Sequence, residues 1–388
     1  MTSAVLTTDL SSCFDTIDHS ILLDKLEFYG IRDKSLDLFK SYLSDRYQYV
    51  ELETFKSQLI RSNDYSCVQG SKISGLLYTL YTNEVPQLYS LIEDENKYNQ
   101  IVNEILPTKF NTQHITISYV DDSSHIISFK NNHDIKIYLE TFYKLLNIYY
   151  TCNLLKINAD KTALLLVTQN KDNRFYKSFY FMADIYKIVP KPTITILGFI
   201  LSDSLKNDCQ INSLASNLHH KMKTLRDLLK YASQKSRINF LNSIVIGKLN
   251  YLLPLLNNCS SSAHSKLHKI VMTAARTGIG NYCYKQSVSK ILRQCKFMNI
   301  DQMIKVSCLK FAHSLILNRI PESTYNLLKL SNRPTAEIRL FKPPESKLAR
   351  TFHLYNGLHW YNKLPNSLKD LSIFKFKVQI KKYILDNG

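Results

Sequence analysis

Three acids stand where acids need a reason. Asp9 ends the apolar run Ala4-Val-Leu-Thr-Thr-Asp9, and Asp121-Asp122 interrupt two β-rich arms between His114 and Phe129. The first pattern predicts a buried strand over residues 3–10 with Asp9 near its carboxyl end. The second predicts a hairpin with two carboxylates at its tip. Ionised carboxylates are costly in a core, so they need partners. Oxygen ligands from two strands can hold a pair of divalent ions about 4 Å apart. Such a pair activates a hydroxyl and offsets charge on phosphates. The simpler alternative is a polar turn, because Asp favours turns.

The elements around these acids follow from periodicity. Residues 18–43 read as helical, with Leu22, Leu26, Leu36 and Leu43 among the apolar marks and Gly30 as a break. Tyr47 to Val68 alternates and predicts one or two strands. Ser74 to Tyr81 predicts a short helix, and residues 88–112 read as a polar insertion. A helix is expected at 133–152, a strand at 162–168 and another near 194–201. Beyond 204 the pattern is helical, with apolar stripes at 211–229, 238–252 and 267–274, the last stopped by Gly278. Asp15 and Asp18 suit helix caps. Cys259, His264 and His268 have some metal spacing but lack a fourth ligand, which favours a basic helix surface.

Composition bounds the rest. The 388 residues carry a net charge of +18 and 45% hydrophobic residues, enough for a packed core. Residues 1–200 hold 20 Lys and Arg against 23 Asp and Glu, whereas residues 201–388 hold 30 against 9. A polyanion suits the second half, and nucleic acid is the first candidate because its phosphates bind clustered cations by counterion release. A solvated basic surface is the other reading. No apolar run is long enough to cross a membrane, and no secretory signal is expected. None of the eight cysteines forms a Cys-x-x-Cys pair, which predicts reduced, buried thiols in an intracellular protein.

Longer stretches resemble a known family. Tyr119-Val-Asp-Asp122 resembles the Tyr-x-Asp-Asp box of reverse transcriptases. Asp9-Leu-Ser-Ser-Cys-Phe-Asp-Thr-Ile-Asp-His19 resembles the first palm motif of non-LTR retrotransposon (LINE/Jockey-like) polymerases. The likeness continues through Ile21-Leu-Leu-x-Lys-Leu-x-x-Tyr-Gly-Ile31, Ser41-Tyr-Leu-Ser-x-Arg46, Ser66-Cys-Val-Gln-Gly-Ser71 and Gly75-Leu-Leu-Tyr-x-Leu-Tyr-x-Asn83. Leu155-x-x-Asn158-x-x-Lys161-Thr162, Ile196-Leu-Gly-Phe199 and Trp360-Tyr-x-x-Leu-Pro365 complete it. Val68, Lys72 and Gly75 depart from the family's usual residues in their box.

The resemblance implies an α+β fold: a right-hand polymerase palm, an antiparallel sheet with helices, at 1–203 with partial fingers. A helical thumb would follow at 204–262 and a basic, helical carboxyl-terminal region at 263–388. It implies RNA-directed DNA polymerisation, with Asp9, Asp121 and Asp122 as ligands of Mg²⁺ or Mn²⁺. Phe14 would be the steric gate against a ribose 2′-hydroxyl. Gln69, Gly70 and Ser71 would touch the incoming deoxynucleoside triphosphate and the template. Lys161 would lie near the triphosphate, and Leu197, Gly198 and Phe199 would grip the primer. Lys221, Lys223 and Arg226 would face the phosphates of an RNA template and DNA primer. Phe14 has a rival reading as core, and Lys161 as a solvated charge. An enzyme of this type working on host DNA is expected in the nucleus. No upstream fingers motifs precede Asp9 in this sequence, no endonuclease precedes them and no RNase H pattern follows. The alternative expectation is therefore an inactive nucleic-acid-binding remnant.

Overall fold

The computed structural model describes residues 2–62, 64–68, 70–94, 97, 100–101, 110–168, 178–256, 258–280, 286–330, 338–340 and 353–387. It separates into two units, Met1–Gly198 with Ser202–Ser204, and Phe199–Leu201 with Leu205–Gly388.

The first unit is built on an antiparallel sheet. Strands β1 (Thr2–Thr8), β2 (Thr112–Tyr119), β3 (Asp122–Phe129) and β4 (Ala163–Val167) lie in the order β2-β3-β1-β4. β1 is central and carries no charge, as a strand covered on both faces should. Its register sets Thr8 opposite Ser123 and Thr7 opposite Ala163. The β2–β3 hairpin closes at Tyr119 opposite Asp122, with Val120 and Asp121 as its two-residue turn. Val120 takes a φ of 56°, as a tight turn of this length demands.

Helices α1 (His19–Phe28), α2 (Asp33–Leu43), α3 (Ser74–Tyr81) and α4 (Asp134–Cys152) support the sheet. Their buried residues, among them Leu22, Leu26, Leu77, Leu139 and Leu146, join Ala4, Leu6, Ile127 and Leu164 of the sheet in one core. Asp18 caps α1, its Oδ1 accepting from Ile21 N at 2.9 Å. Glu84, just beyond α3, ties α1 and its cap to α4 by accepting from Lys25, Tyr29 and Tyr149.

The alternating stretch from Tyr47 becomes four very short strands rather than one or two. Tyr47–Gln48 pairs with Ile60–Arg61, and Glu51–Leu52 with Phe55–Lys56, as a ribbon with Tyr47, Leu52, Phe55 and Ile60 exposed. The stretch near 194–201 is a hairpin, not one strand: β5 (Thr193–Ile196) turns at Leu197-Gly198 into β6 (Phe199–Ser202). Both turn residues are left-handed, φ 48° and 79°. A further small hairpin, Phe181–Ala183 with Tyr186–Ile188, carried no recognised signal.

The second unit is mainly helical. It contains α5 (Asp208–Leu228), α6 (Gln234–Leu241), α7 (Ser261–Ile279), α8 (Val288–Cys295), α9 (Ile300–Asn318), α10 (His353–Asn362) and α11 (Ile373–Asn387). The stripe at 238–252 is interrupted by a π turn at Asn242–Ile246. α7 runs past Gly278 and stops at Gly280, which takes φ 75° and is the left-handed cap. Gly278 serves packing instead: a Cβ there would lie 3.1 Å from Ile238. One apolar cluster runs from Ile211 to Cys308, across residue 262, and a second joins α9, α10 and α11. Among the described residues no helix is long and apolar enough to cross a membrane. The seven described cysteines are free; Cys13, Cys67, Cys295 and Cys308 are buried, whereas Cys152 and Cys209 are exposed.

Candidate active site

Asp9 is the first residue beyond β1, and the backbone there is zipped to a distant loop. Leu10 bridges Ile157, Ser11 N donates to Lys156 O at 2.9 Å and Asn158 N donates to Asp9 O at 2.8 Å. Asn158 then shapes the turn that follows. Its Oδ1 accepts from Lys161 N at 3.3 Å, and its carbonyl accepts from the amide and hydroxyl of Thr162. The turn brings Lys161 back over Asp9, with Nζ 2.9 Å from Oδ2. Asp9 is mostly covered, at 18% side-chain exposure, while Lys161 is open to solvent. Asn158 escaped sequence reasoning as a site residue. An Asn three residues before a functional lysine is the signal of a side chain bonding to its own turn.

The hairpin supplies the other acids. Asp9, Asp122 and Lys161 line one cleft of about 170 Å³, with Thr7, Thr8, Ser123, Ser124, Thr195 and Ile196. Asp121, in the turn itself, interacts with Cys13, whose thiol is pushed up to about 12 by burial first and by Asp121 second. Burial raises the Asp122 carboxyl, and the negative charges of Asp121 and Asp9 raise it further. Lys161 is held above the ordinary lysine value by its contact with Asp9, helped by Asp121 and Asp122. The four charges therefore form one electrostatic group.

That group has the donor chemistry of a hard divalent cation: carboxylate oxygens, no sulfur or imidazole required. Asp9 Oδ2 is buried against the Lys161 ammonium at 2.9 Å, and a carboxylate has further lone pairs for a cation. Among the described residues no three His, Cys, Asp or Glu side chains converge tightly enough to form a ready-made cage. A cation would draw on the carboxylates of Asp9, Asp121 and Asp122, which act together on Lys161.

The remaining expected residues lie as follows. Phe14 is half-buried, packs against the core and meets Tyr78 at 5.2 Å between ring centroids; it does not line the cleft. Its carbonyl accepts from Cys67 N at 2.8 Å, joining its loop to the segment before Gly70. Gly70 is left-handed at φ 84°, with open space where a Cβ would be. Ser71 Oγ accepts from Tyr42 OH at 2.9 Å. Gln69 lies outside the described residues. Leu197 and Gly198 form the β5–β6 turn, and Phe199 packs against the cluster of the second unit. On α5, Lys221 and Lys223 are exposed either side of buried Met222, and Arg226 Nε donates to Thr277 Oγ1 at 3.4 Å. A larger open cleft of about 910 Å³ has Arg46, Arg61, His19 and Ser66–Val68 on its walls.

Comparison with known proteins bears on this arrangement. Apo telomerase from Candida tropicalis is 14% identical at a TM-score of 0.36, covering 84% of this chain and 52% of that one. Telomerase from Candida albicans, in complex with a TWJ fragment of telomeric RNA, is 13% identical at a TM-score of 0.30, covering 83% and 49%. The apo Candida tropicalis enzyme truncated from its C-terminal domain is 13% identical at a TM-score of 0.34, covering 53% and 35%. This chain thus spans between a third and about half of the telomerase structures it matches. No curated protein matches. The family model for reverse transcriptase (RNA-dependent DNA polymerase) matches residues 2–201, which contain all three acids and Lys161. The chain belongs to the reverse transcriptase (RNA-dependent DNA polymerase) family.

Proposed function

We propose that the chain is an RNA-directed DNA polymerase of the non-LTR retroelement type, extending a DNA primer on an RNA template with deoxynucleoside triphosphates. The observation that carries this is the single cleft shared by Asp9, Asp122 and Lys161. A bound pair of Mg²⁺ or Mn²⁺ ions would lower the pKa of the primer hydroxyl and neutralise phosphate charge. Asp9 and Asp121 as the principal pair, with Asp122 beside them, would hold those ions. Lys161, charged and solvent-facing, would meet the triphosphate and give its proton to the departing pyrophosphate. The Leu197-Gly198 turn would press on the primer end. Arg46, and Arg61 if it exchanges its pairing with Asp45, would meet template phosphates at the larger cleft. In this reading the palm spans 1–203, the thumb 204–262 and a basic region 263–388, and the enzyme works on nuclear DNA.

Phe14 is proposed as the gate because it follows Cys13, whose thiol meets Asp121. The test is extension of a primed RNA template with deoxy- or ribonucleotides. The wild type should favour deoxynucleotides, and Phe14→Ala should raise relative ribonucleotide use by about tenfold or more, since one clash is worth at least ~1.4 kcal/mol. An unchanged ratio refutes the gate.

A second reading has its own support. The second half carries 30 basic against 9 acidic residues, which suits a nucleic-acid-binding remnant that no longer synthesises. It predicts salt-sensitive binding without extension, whereas the polymerase shows both.

A further inference from the structure

Helices α9 and α11 pack through Leu309, Ala312, Phe376, Ile380 and Ile384, all within one buried cluster. The His313 ring stacks on Phe376 at 3.7 Å with an interplanar angle of 11°. A lysine follows each of three of those contact positions. Lys310 comes after Leu309, Lys377 after Phe376 and Lys381 after Ile380. Lys377 and Lys381 are four residues apart, so they share a face of α11. Both are exposed, whereas Lys310 is half-covered at the seam.

The three ammonium groups feel one another. Lys310 is held below the usual lysine range by burial first, then by the positive charges of Lys381 and Lys377. Among the described residues none of the three is paired with a carboxylate. α11 itself has Lys375, Lys377, Lys381 and Lys382 against a single acid, Asp386. Like charges gathered without a counter-ion destabilise the fold that holds them. Phe374 lies on the same side, three residues before Lys377, and is 80% exposed. A bare aromatic ring beside clustered cations is the pairing that single-stranded nucleic acid uses, base on ring and phosphate on ammonium.

We propose that Lys310, Lys377 and Lys381 each take one phosphate of a single-stranded nucleic acid, with Phe374 as the base-stacking platform. The site rests on the reading of residues 201–388 as a nucleic-acid surface, and lies on different helices from Lys221, Lys223 and Arg226. A recessed lysine near two exposed ones suits a phosphate on a flexible strand, which can reach into the seam. A flat layer of lipid headgroups would engage the exposed pair alone.

The test uses the full chain and a fluorescein-labelled, mixed-sequence DNA oligonucleotide, titrated across a range of salt. The triple variant Lys310→Gln, Lys377→Gln, Lys381→Gln should flatten the slope of log affinity against log salt by about 2, at ~0.7 per single-strand phosphate contact. The corresponding triple Arg variant should retain the slope. Phe374→Ala should lower affinity by about tenfold with the slope unchanged, as stacking contributes ~1–3 kcal/mol per base. Should the triple Gln variant not fold, the exposed pair Lys377→Gln, Lys381→Gln tests the same claim, with a flattening of about 1.4. If the wild type binds without salt dependence, the wider nucleic-acid reading is wrong. If the wild type binds steeply and the Gln variants keep its slope, this site alone is wrong. Phosphatidylserine vesicles are the third arm, and triad-dependent capture by vesicles rather than by the oligonucleotide also overturns the proposal.

Discussion

Lys161 shows how much of a site is made by residues that never touch a substrate. Its ammonium reaches Asp9 because Asn158 folds the intervening turn and because Asp9 and Asn158 share a backbone hydrogen bond. The pairing of Asp9 with Lys161 could not be read from a separation of 152 positions; only the Asn-x-x-Lys spacing hinted at it. The acids themselves were legible, since a carboxylate at a strand end and two at a hairpin tip are costly without a purpose. Lys161 is open to solvent but its partner Asp9 is mostly covered, so Lys161→Ala leaves that carboxylate unpaired and should lower the thermal midpoint. As a proton donor to the leaving group, Lys161 should also be worth ~10²–10⁴-fold in rate. Single-turnover extension and a melting curve on the same variant check both expectations. A full-speed Lys161→Ala enzyme would return the residue to the status of a solvated charge.

At the scale of the element, the β2–β3 hairpin carries a polar network that no pattern announced. Thr116 and His125 face each other across the ladder, and Thr116 Oγ1 lies 2.9 Å from His125 Nδ1 and 3.2 Å from His114 Nε2. His114 Nδ1 meets Tyr138 OH of α4 at 2.8 Å. The hairpin was legible because its arms are β-rich around an Asp-Asp tip. The network was not, because it exists only once the register brings positions 116 and 125 together. Burial lowers His114 to about 4; burial and the nearby His114 lower His125 to about 3. An unfolded histidine binds its proton near pH 6.5, so below that pH the unfolded chain binds more protons than the folded one. The stability from these two groups is therefore complete above about pH 6.5 and is lost as pH falls towards about 4 and 3. Between pH 6.5 and 4.5 the loss should be roughly 2–3 kcal/mol per histidine, at 1.36 kcal/mol per unit. Denaturant melts of the wild type and of His125→Gln across that range should converge at low pH. Parallel curves would mean that His125 binds its proton equally well in the folded and unfolded chain. The β5–β6 hairpin was missed for a related reason. Its residues alternate like one strand, and only Gly198 marks the turn.

Across the whole molecule, the division between an acidic-to-neutral half and a basic half coincides with the change from sheet to helix. The first unit holds Met1–Gly198 and Ser202–Ser204, and the helical one holds Phe199–Leu201 and everything from Leu205. Apolar stripes located α5, α6 and α7, because burying one face sets a period near 3.6 residues, whereas α8 to α11 were expected only as a basic, helical region. The stripes misplaced the end of α7, where Gly278 is a packing glycine and Gly280 the cap. The central claim is that one cleft of the first unit performs nucleotidyl transfer on an RNA template, and Asp9 tests it most directly. Asp9→Asn preserves the shape and the backbone contacts to Asn158 while removing the charge. The measurement is extension of a primed RNA template with deoxynucleotides and Mg²⁺, alongside binding of the same template. The account predicts extension by the wild type, a loss of at least about 100-fold in Asp9→Asn, in line with removal of a principal electrostatic group, and unchanged binding. Undiminished extension by Asp9→Asn, or a wild type that binds the primed template without extending it, would contradict the account.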